Sequence, residues 1–184
     1  SSFMRKKVPR PYHHGDLREA LVAAGTELIE DDGVMAFTLR ECARRAGVSH
    51  AAPKNHFATA EDLLAEIAAR GFERFVSALG TAADRASDQS PDSRLIAMGQ
   101  AYARFARAHP GVYGLMFRRP RHTAASPHLD QAAKAGWDQL HEAVKAVIGE
   151  DRKDAAIKSA HVWSLVHGIA SLMIDRRLPP AIDS

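Results

Sequence analysis

His50, Lys54, Asn55 and His56 fall in one short run, with Thr38 and Ser49 shortly before them. These are residue types that hydrogen-bond to nucleic acid. An Asn amide can pair with adenine through two hydrogen bonds, worth about 1–3 kcal/mol of discrimination. A Lys ammonium is a mobile point charge suited to a phosphate. On this reading His50, Ala51, Lys54 and Asn55 face the major groove, and Thr38 and His56 lie near phosphates.

No other set of reactive side chains has spacing that suggests chemistry. The chain has ten histidines. A helical zinc pair needs ligands three or four residues apart on one face, with a carboxylate or Cys nearby. His161 and His167 are six apart, and the nearer spacing, Trp163 to His167, suits stacking. No metal site is expected, and His167 reads as a hydrogen-bonded core histidine. Cys42 is the single cysteine, so no internal disulfide is possible. It lies on an apolar helix face, which predicts a buried, inert thiol. There is no glycine-rich phosphate loop and no nucleophile elbow, and the carboxylates sit mostly at helix starts and on outer faces. No cofactor and no enzymatic activity are expected.

The nucleic-acid run must be held by short helices. Thr38 can cap a helix, with Glu41 three residues on completing a capping box. Leu39, Cys42, Ala43 and Ala46 give that helix a small apolar face, and Gly47 suits its left-handed end. Ser49 then caps a second helix, leaving a turn of Gly47-Val48-Ser49. A short turn containing Gly between two helices is the pattern of a helix-turn-helix, whose second helix enters the major groove. Pro53 falls in the first turn of that helix, where it forfeits one bond at most. Leu17, Leu21, Ala24 and Leu28 mark an earlier helix over residues 16–32. Thr59 caps a later one, with Glu61 and Asp62 at its positive end.

The pattern Ala24…Leu28…Gly33…Phe37-Thr38-Leu39-Arg40…Ala43…Ala46-Gly47-Val48-Ser49…His56-Phe57…Glu61-Asp62-Leu63-Leu64 resembles the TetR family of bacterial transcriptional regulators, over about the first third of the chain. Two positions depart from the family pattern. Lys54 stands where the family usually has Tyr, and Ala60 where it often has Lys. A cation lost at one position is regained at the other, and the hydroxyl contact to a phosphate becomes a charge contact.

Length and composition agree with a helical regulator. The chain has 184 residues, 46% of them hydrophobic, and a formal charge of +3. That supports a real core and is only mildly basic. Without Val/Ile/Thr-rich alternation, the fold class is all-α. Arg5, Lys6, Lys7 and Arg10 precede the first acidic residue, Asp16, making residues 1–14 a basic arm. Such an arm either lies along DNA or is a solvated tail. No signal peptide is evident, and no charge-free run of about 18 or more apolar residues occurs. A soluble, cytoplasmic protein with no membrane partner is expected.

Beyond the helix-turn-helix unit (residues 15–58), residues 59–184 read as a ligand-binding and dimerisation domain. A long bridging helix over residues 60–86 joins the two. Ser90 and Pro91 start the next helix, whose inner face carries Leu95, Met98, Tyr102, Phe105 and His109. A short apolar helix spans 111–117, followed by a basic loop over 118–126. The helix from Pro127 to Ile148 carries the stripe Leu129, Ala133, Trp137, Leu140, Val144 and Ile148. The last helix, over 159–174, has no Lys, Arg, Asp or Glu. A helix apolar on every side needs burial on every side, and Ala160, Ser164, Gly168 and Ser171 form a small-residue stripe that admits a close partner. A homodimer is expected, in which this helix and the Pro127 helix form a four-helix bundle with their mates. Met98, Tyr102, Phe105, Tyr113, Met116, Phe117, Trp137, His141, Trp163 and His167 are candidates for an effector pocket, though for any one of them core packing is the favoured reading. The segment from Val162 to Asp175 resembles the tryptophan/histidine/glycine motif of one C-terminal domain type of the TetR family.

These readings combine into a homodimeric repressor on a palindromic double-stranded operator, released or recruited by a mostly apolar small molecule. Two other readings compete. One is a constitutive DNA-binding dimer. The other is a small helical enzyme or carrier with a vestigial helix-turn-helix.

Overall fold

The computed structural model describes residues 14–117, 125–149 and 153–179. The N-terminal arm, apart from residue 14, and positions 118–124 of the basic loop lie outside the described residues. Among the described residues the fold is entirely helical. The α-helices are α1 (His14–Asp32), α2 (Leu39–Ala46), α3 (Ala60–Asp84), α4 (Pro91–Ala108), α5 (Pro110–Phe117), α6 (Pro127–Ile148) and α7 (Ala155–Ile174). Two single 3-10 turns, Val34–Ala36 and Ala52–Asn55, punctuate the N-terminal half.

The helix starts follow the capping residues. Thr38 accepts from the Glu41 amide and Ser90 from the Ser93 amide. Thr59 and Asp62 make a full reciprocal box at the start of α3. The box expected at Thr38 is only half formed, because the Glu41 carboxylate turns outward to Arg44, at 2.5 and 2.8 Å. Gly47 closes α2 in the left-handed conformation, φ 69°, which costs a glycine little. α7 starts a turn earlier than expected, at Ala155, so its first turns include Lys158.

Pro53 changes the element that was expected to read DNA. The segment after Gly47 is not an α-helix capped by Ser49. It is one 3-10 turn whose first flanking residue is Ala51, with no side-chain cap. Pro53 has no N–H to extend an α-ladder. The Ala52 amide instead bonds the Ser49 carbonyl three residues back, at 3.1 Å. The proline ring is buried, so the turn is pinned from beneath.

α3 is the central element and packs against α1, α4, α5 and α6. At about 1.5 Å per residue, its 25 residues span both halves. One continuous hydrophobic cluster runs from Leu21 and Leu28 in α1, through Ile67 and Phe75 in α3, to Ala170 in α7.

Three polar joints tie α1 to the rest. Arg45 of α2 pairs with Asp31 (2.7 Å) and Asp32 (2.5 Å) at the α1 terminus, where two acids otherwise oppose the helix dipole. Glu66 of α3 receives Arg18 of α1 at 3.1 Å, Arg70 at 2.7 Å and His128 of α6 at 3.1 Å. Burial alone would raise the Glu66 carboxyl, but the hydrogen bonds from Arg18, Arg70 and His128 overcome that and hold it down to about 2. Finally, the Glu30 carboxylate of α1 accepts the Gly111 and Val112 amides at the α5 N-terminus, at 2.8 and 3.0 Å.

Candidate nucleic-acid interface and effector cavity

The segment from Gly47 to Asn55 stands on the surface at one end of the molecule. Thr38, Ser49, His50, Ala51, Lys54 and Asn55 are exposed, and His56 is half-buried. Beneath them Cys42, Ala43, Pro53 and Phe57 are buried, and Arg18 lies 5.0 Å from the Phe57 ring centroid. This buried floor presents the polar side chains outward. Arg40 and Arg44 of α2 are also exposed on this side. They were not among the expected contacts, although their position two and six residues after Thr38 places them on the outer face of the same helix. Arg44 is engaged with Glu41. Cys42 is fully buried and burial pushes its thiol up to about 11, so it is not a nucleophile.

At the other end, α3, α4, α5, α6 and α7 enclose a cavity of about 540 Å³, inside the range of small-molecule sites. Met98, Tyr102, Met116, Phe117, Trp137, Trp163 and His167 line it, as the apolar stripes suggested. Three expected residues do not. Phe105 packs edge-on against Phe75 (5.3 Å) and near His109 (4.9 Å), facing a separate groove between α3 and α4. His141 stacks on Trp137 and bonds Ser159 at 3.0 Å. Because the Ser159 hydroxyl donates to the Ala155 carbonyl, His141 is the donor of that pair. Tyr113 sits behind the wall, bonded to His167. The cavity also uses Phe72, Phe75 and Leu79 of α3, together with Gly136, Leu140 and Val166. Their apolar spacing was visible, but not the neighbour each would face.

The polar end of the cavity is a closed triangle. The Tyr102 and Tyr113 hydroxyls each lie 2.8 Å from His167 Nδ1 and 3.2 Å from one another. Burial lowers the His167 pKa and raises those of both tyrosines, so all three groups are neutral near pH 7. Among the described residues no group of His, Cys, Asp and Glu is placed to hold a metal ion, and no helix is long and apolar enough to cross a membrane.

The small-residue stripe of α7 lies beside, rather than on, the helix's most exposed line. Ala160, Gly168 and Ser171 are half-buried. Ser164 is exposed, donates to the Ala160 carbonyl at 2.7 Å and edges the cavity. A Cβ on Gly168 would meet nothing within 4 Å. Of seven large hydrophobic residues left exposed among the described residues, five are on α7: Ile157, Trp163, Leu165, Ile169 and Leu172. That concentration makes α7 the most apolar exposed helix among the described residues.

Residues 21–67 match the family described as bacterial regulatory proteins, tetR family, and residues 95–184 match the tetracyclin repressor-like C-terminal domain. A helix-turn-helix-type transcriptional regulator of Mycobacterium tuberculosis is 27% identical over 168 residues, 91% of this chain and 73% of that one. A solved protein of unknown function from Rhodococcus sp. RHA1 superposes with TM-score 0.83 at 35% identity, over 95% of this chain and 92% of the other. A TetR family transcription regulator from Marinobacter aquaeolei VT8 shares the fold, with TM-score 0.65 at 14% identity over 92% and 91% of the two chains. With the exposed helix-turn-helix segment at one end, a helical unit around a cavity at the other, and a family match to each, the chain belongs to the TetR family of bacterial transcriptional regulators, proteins that are not enzymes.

Proposed function

We propose that this regulator is a cytoplasmic homodimeric repressor whose operator affinity is set by a small molecule in the α3–α7 cavity. One observation carries the reading. α3 and α5 both line the cavity, and both are joined to α1, α3 through Glu66 and α5 through Glu30. A ligand that repositions either helix therefore acts on the unit bearing His50, Lys54 and Asn55. Such coupling requires the ligand to bind one arrangement better than the other, and a tenfold difference contributes about 1.4 kcal/mol per site. The apolar line of α7, with α6 beside it, supplies the dimer face. Two copies of the 47–56 segment would then address the two halves of a palindromic operator. Within each copy, His50, Ala51, Lys54 and Asn55 face the major groove, Lys54 reaching a phosphate, and Thr38, Ser49 and His56 meet phosphates or support the turn. The domain limits that suit this division are residues 15–58 and 59–184, with the basic arm before them.

The test is a salt series of operator binding with DNA from upstream of the chain's own gene. Lys54→Ala weakens all sequences and lowers the salt slope by about one, whereas Asn55→Ala relaxes preference at one base pair per half-site. Identical salt slopes for wild type and Lys54→Ala would remove the phosphate role. If no compound in a metabolite panel alters operator affinity, the constitutive dimer is the better description.

A further inference from the structure

Both tryptophans of the chain, Trp137 and Trp163, stand in the wall of the cavity, 6.3 Å apart and edge to face. Phe117 lies beside Trp163, with ring centroids 6.4 Å apart, and meets His167 edge-on at 5.0 Å. A guest here meets the rings of Phe72, Phe75, Tyr102, Phe117, Trp137, Trp163 and His167 among aliphatic side chains, and aromatic rings gain from offset and edge-on contacts beyond the area they bury. Among the described residues no Lys, Arg, Asp or Glu lines the space. An ion would enter without a countercharge and would give up its hydration for nothing. What the wall does offer is one hydrogen-bonding corner, where Tyr102 and His167 reach the cavity and Tyr113 backs them.

The triangle itself uses Nδ1 of His167 alone, and Trp163 and Ser171 add side-chain contacts to Tyr102 and Tyr113. If the neutral imidazole carries its proton on Nε2, one hydroxyl donates to Nδ1 and the other donates to the first, leaving oxygen lone pairs free to accept. If the proton is on Nδ1, it donates to one tyrosine, that tyrosine donates to the other, and one O–H is left over. In either tautomer Nε2 stays outside the triangle, a donor to a carbonyl in the first case and an acceptor from a hydroxyl in the second.

We propose that the cavity takes an uncharged, planar aromatic molecule bearing a single hydroxyl or carbonyl oxygen, which it holds at the Tyr102–His167 corner. The proposal rests on the reading of the cavity as the effector site and names the chemistry of its occupant.

The two tryptophans make the test direct, because quenching of their emission and energy transfer to a bound ring report occupancy in the unmodified full chain. The probes are pyrene, 1-hydroxypyrene and pyrene-1-carboxylate, titrated at neutral pH, with cyclododecanol as an aliphatic competitor. The expected order is 1-hydroxypyrene several-fold tighter than pyrene and at least tenfold tighter than the carboxylate, with cyclododecanol displacing it poorly. Tyr102→Phe and His167→Phe, checked for folding by circular dichroism, should erase the preference for 1-hydroxypyrene over pyrene while retaining pyrene itself. Binding of the carboxylate as tight as that of 1-hydroxypyrene, equal success of cyclododecanol, or no binding by any pyrene overturns the proposal. The wild-type series decides this even if both variants misfold. Operator affinity, measured separately, tests the underlying reading. A carboxylate that binds as tightly as 1-hydroxypyrene and shifts operator affinity refutes the ligand class and leaves sensing intact. 1-Hydroxypyrene that binds as expected without shifting operator affinity supports the class and counts against sensing.

Discussion

Removing the Glu30 carboxylate should loosen the joint between α1 and α5 with a measurable loss of stability. Glu30 accepts two backbone amides, from Gly111 and Val112, at the positive end of α5. A hydrogen bond to a charged group contributes about 1.5–3 kcal/mol, but the site is half-buried and water replaces part of what is lost. Glu30→Ala should therefore cost about 2–3 kcal/mol in total. Glu30→Gln keeps one acceptor and loses the charge, for about 1 kcal/mol. The same joint can be attacked from the other side. A Cβ on Gly111 would lie 2.5 Å from the Ile29 carbonyl oxygen, a backbone atom that cannot swing away, so Gly111→Ala must push α1 and α5 apart. Urea unfolding followed by far-ultraviolet circular dichroism measures each variant. Since both substitutions break one contact, the double variant should cost less than the sum of the singles. A Glu30→Ala protein within about 0.5 kcal/mol of wild type, or strict additivity with Gly111→Ala, would show that the joint does not hold the two helices together.

The Glu66 carboxyl, held near 2 against its ordinary 4.5, contributes stability that is present above pH 4.5 and lost as pH falls toward 2. The loss is about 3 kcal/mol and should disappear from the acid limb of urea midpoints in Glu66→Gln. An unchanged acid limb in that variant would contradict the network. Gly168→Leu meets open space within its own chain, so the monomer should fold. Light scattering should nonetheless record lost dimer, and a dimer of unchanged strength would exclude close approach at this helix. Cys42, buried with its thiol pushed up to about 11, should resist a maleimide at pH 7.5 until denaturant is added, and rapid labelling of the folded chain would place it elsewhere.

The features legible in the sequence were those whose physics is local. The caps at Thr38, Thr59 and Ser90 work within three residues, so spacing alone reveals them. The left-handed Gly47 and the charge-free stretch of the last helix are equally self-contained. Pro53 was also visible, but its effect depended on whether the chain around it could continue as α-helix, and the buried ring settles that as a 3-10 turn. The cavity was half legible. Tyr102, Trp137, Trp163 and His167 declared themselves by apolar periodicity, whereas Phe105 shares the stripe of Tyr102 and turns to Phe75 instead. α3 was read as a bridge, so its Phe72, Phe75 and Leu79 were not assigned to the cavity wall. Glu30 and Gly111 are 81 residues apart, as Glu66 and His128 are 62 apart. No local pattern signals contacts of that range.

α3 sets a rule for anyone dissecting this protein. Its first turns, Leu63, Leu64 and Ile67, are buried with α1 beside them, and its later turns, Phe72, Phe75 and Leu79, wall the cavity. A fragment ending before Ala60 leaves α1 without Leu63, Leu64 and Ile67 to pack against, and one cut after Asp84 carries a bare aromatic face into water. The seam for exchanging effector halves between relatives thus lies inside the helix, between Arg70, which still reaches back to Glu19, and Phe72. A chimera spliced there must also bring α5 and α1 from one parent, because Glu30 and the α5 amides recognise each other across the cut.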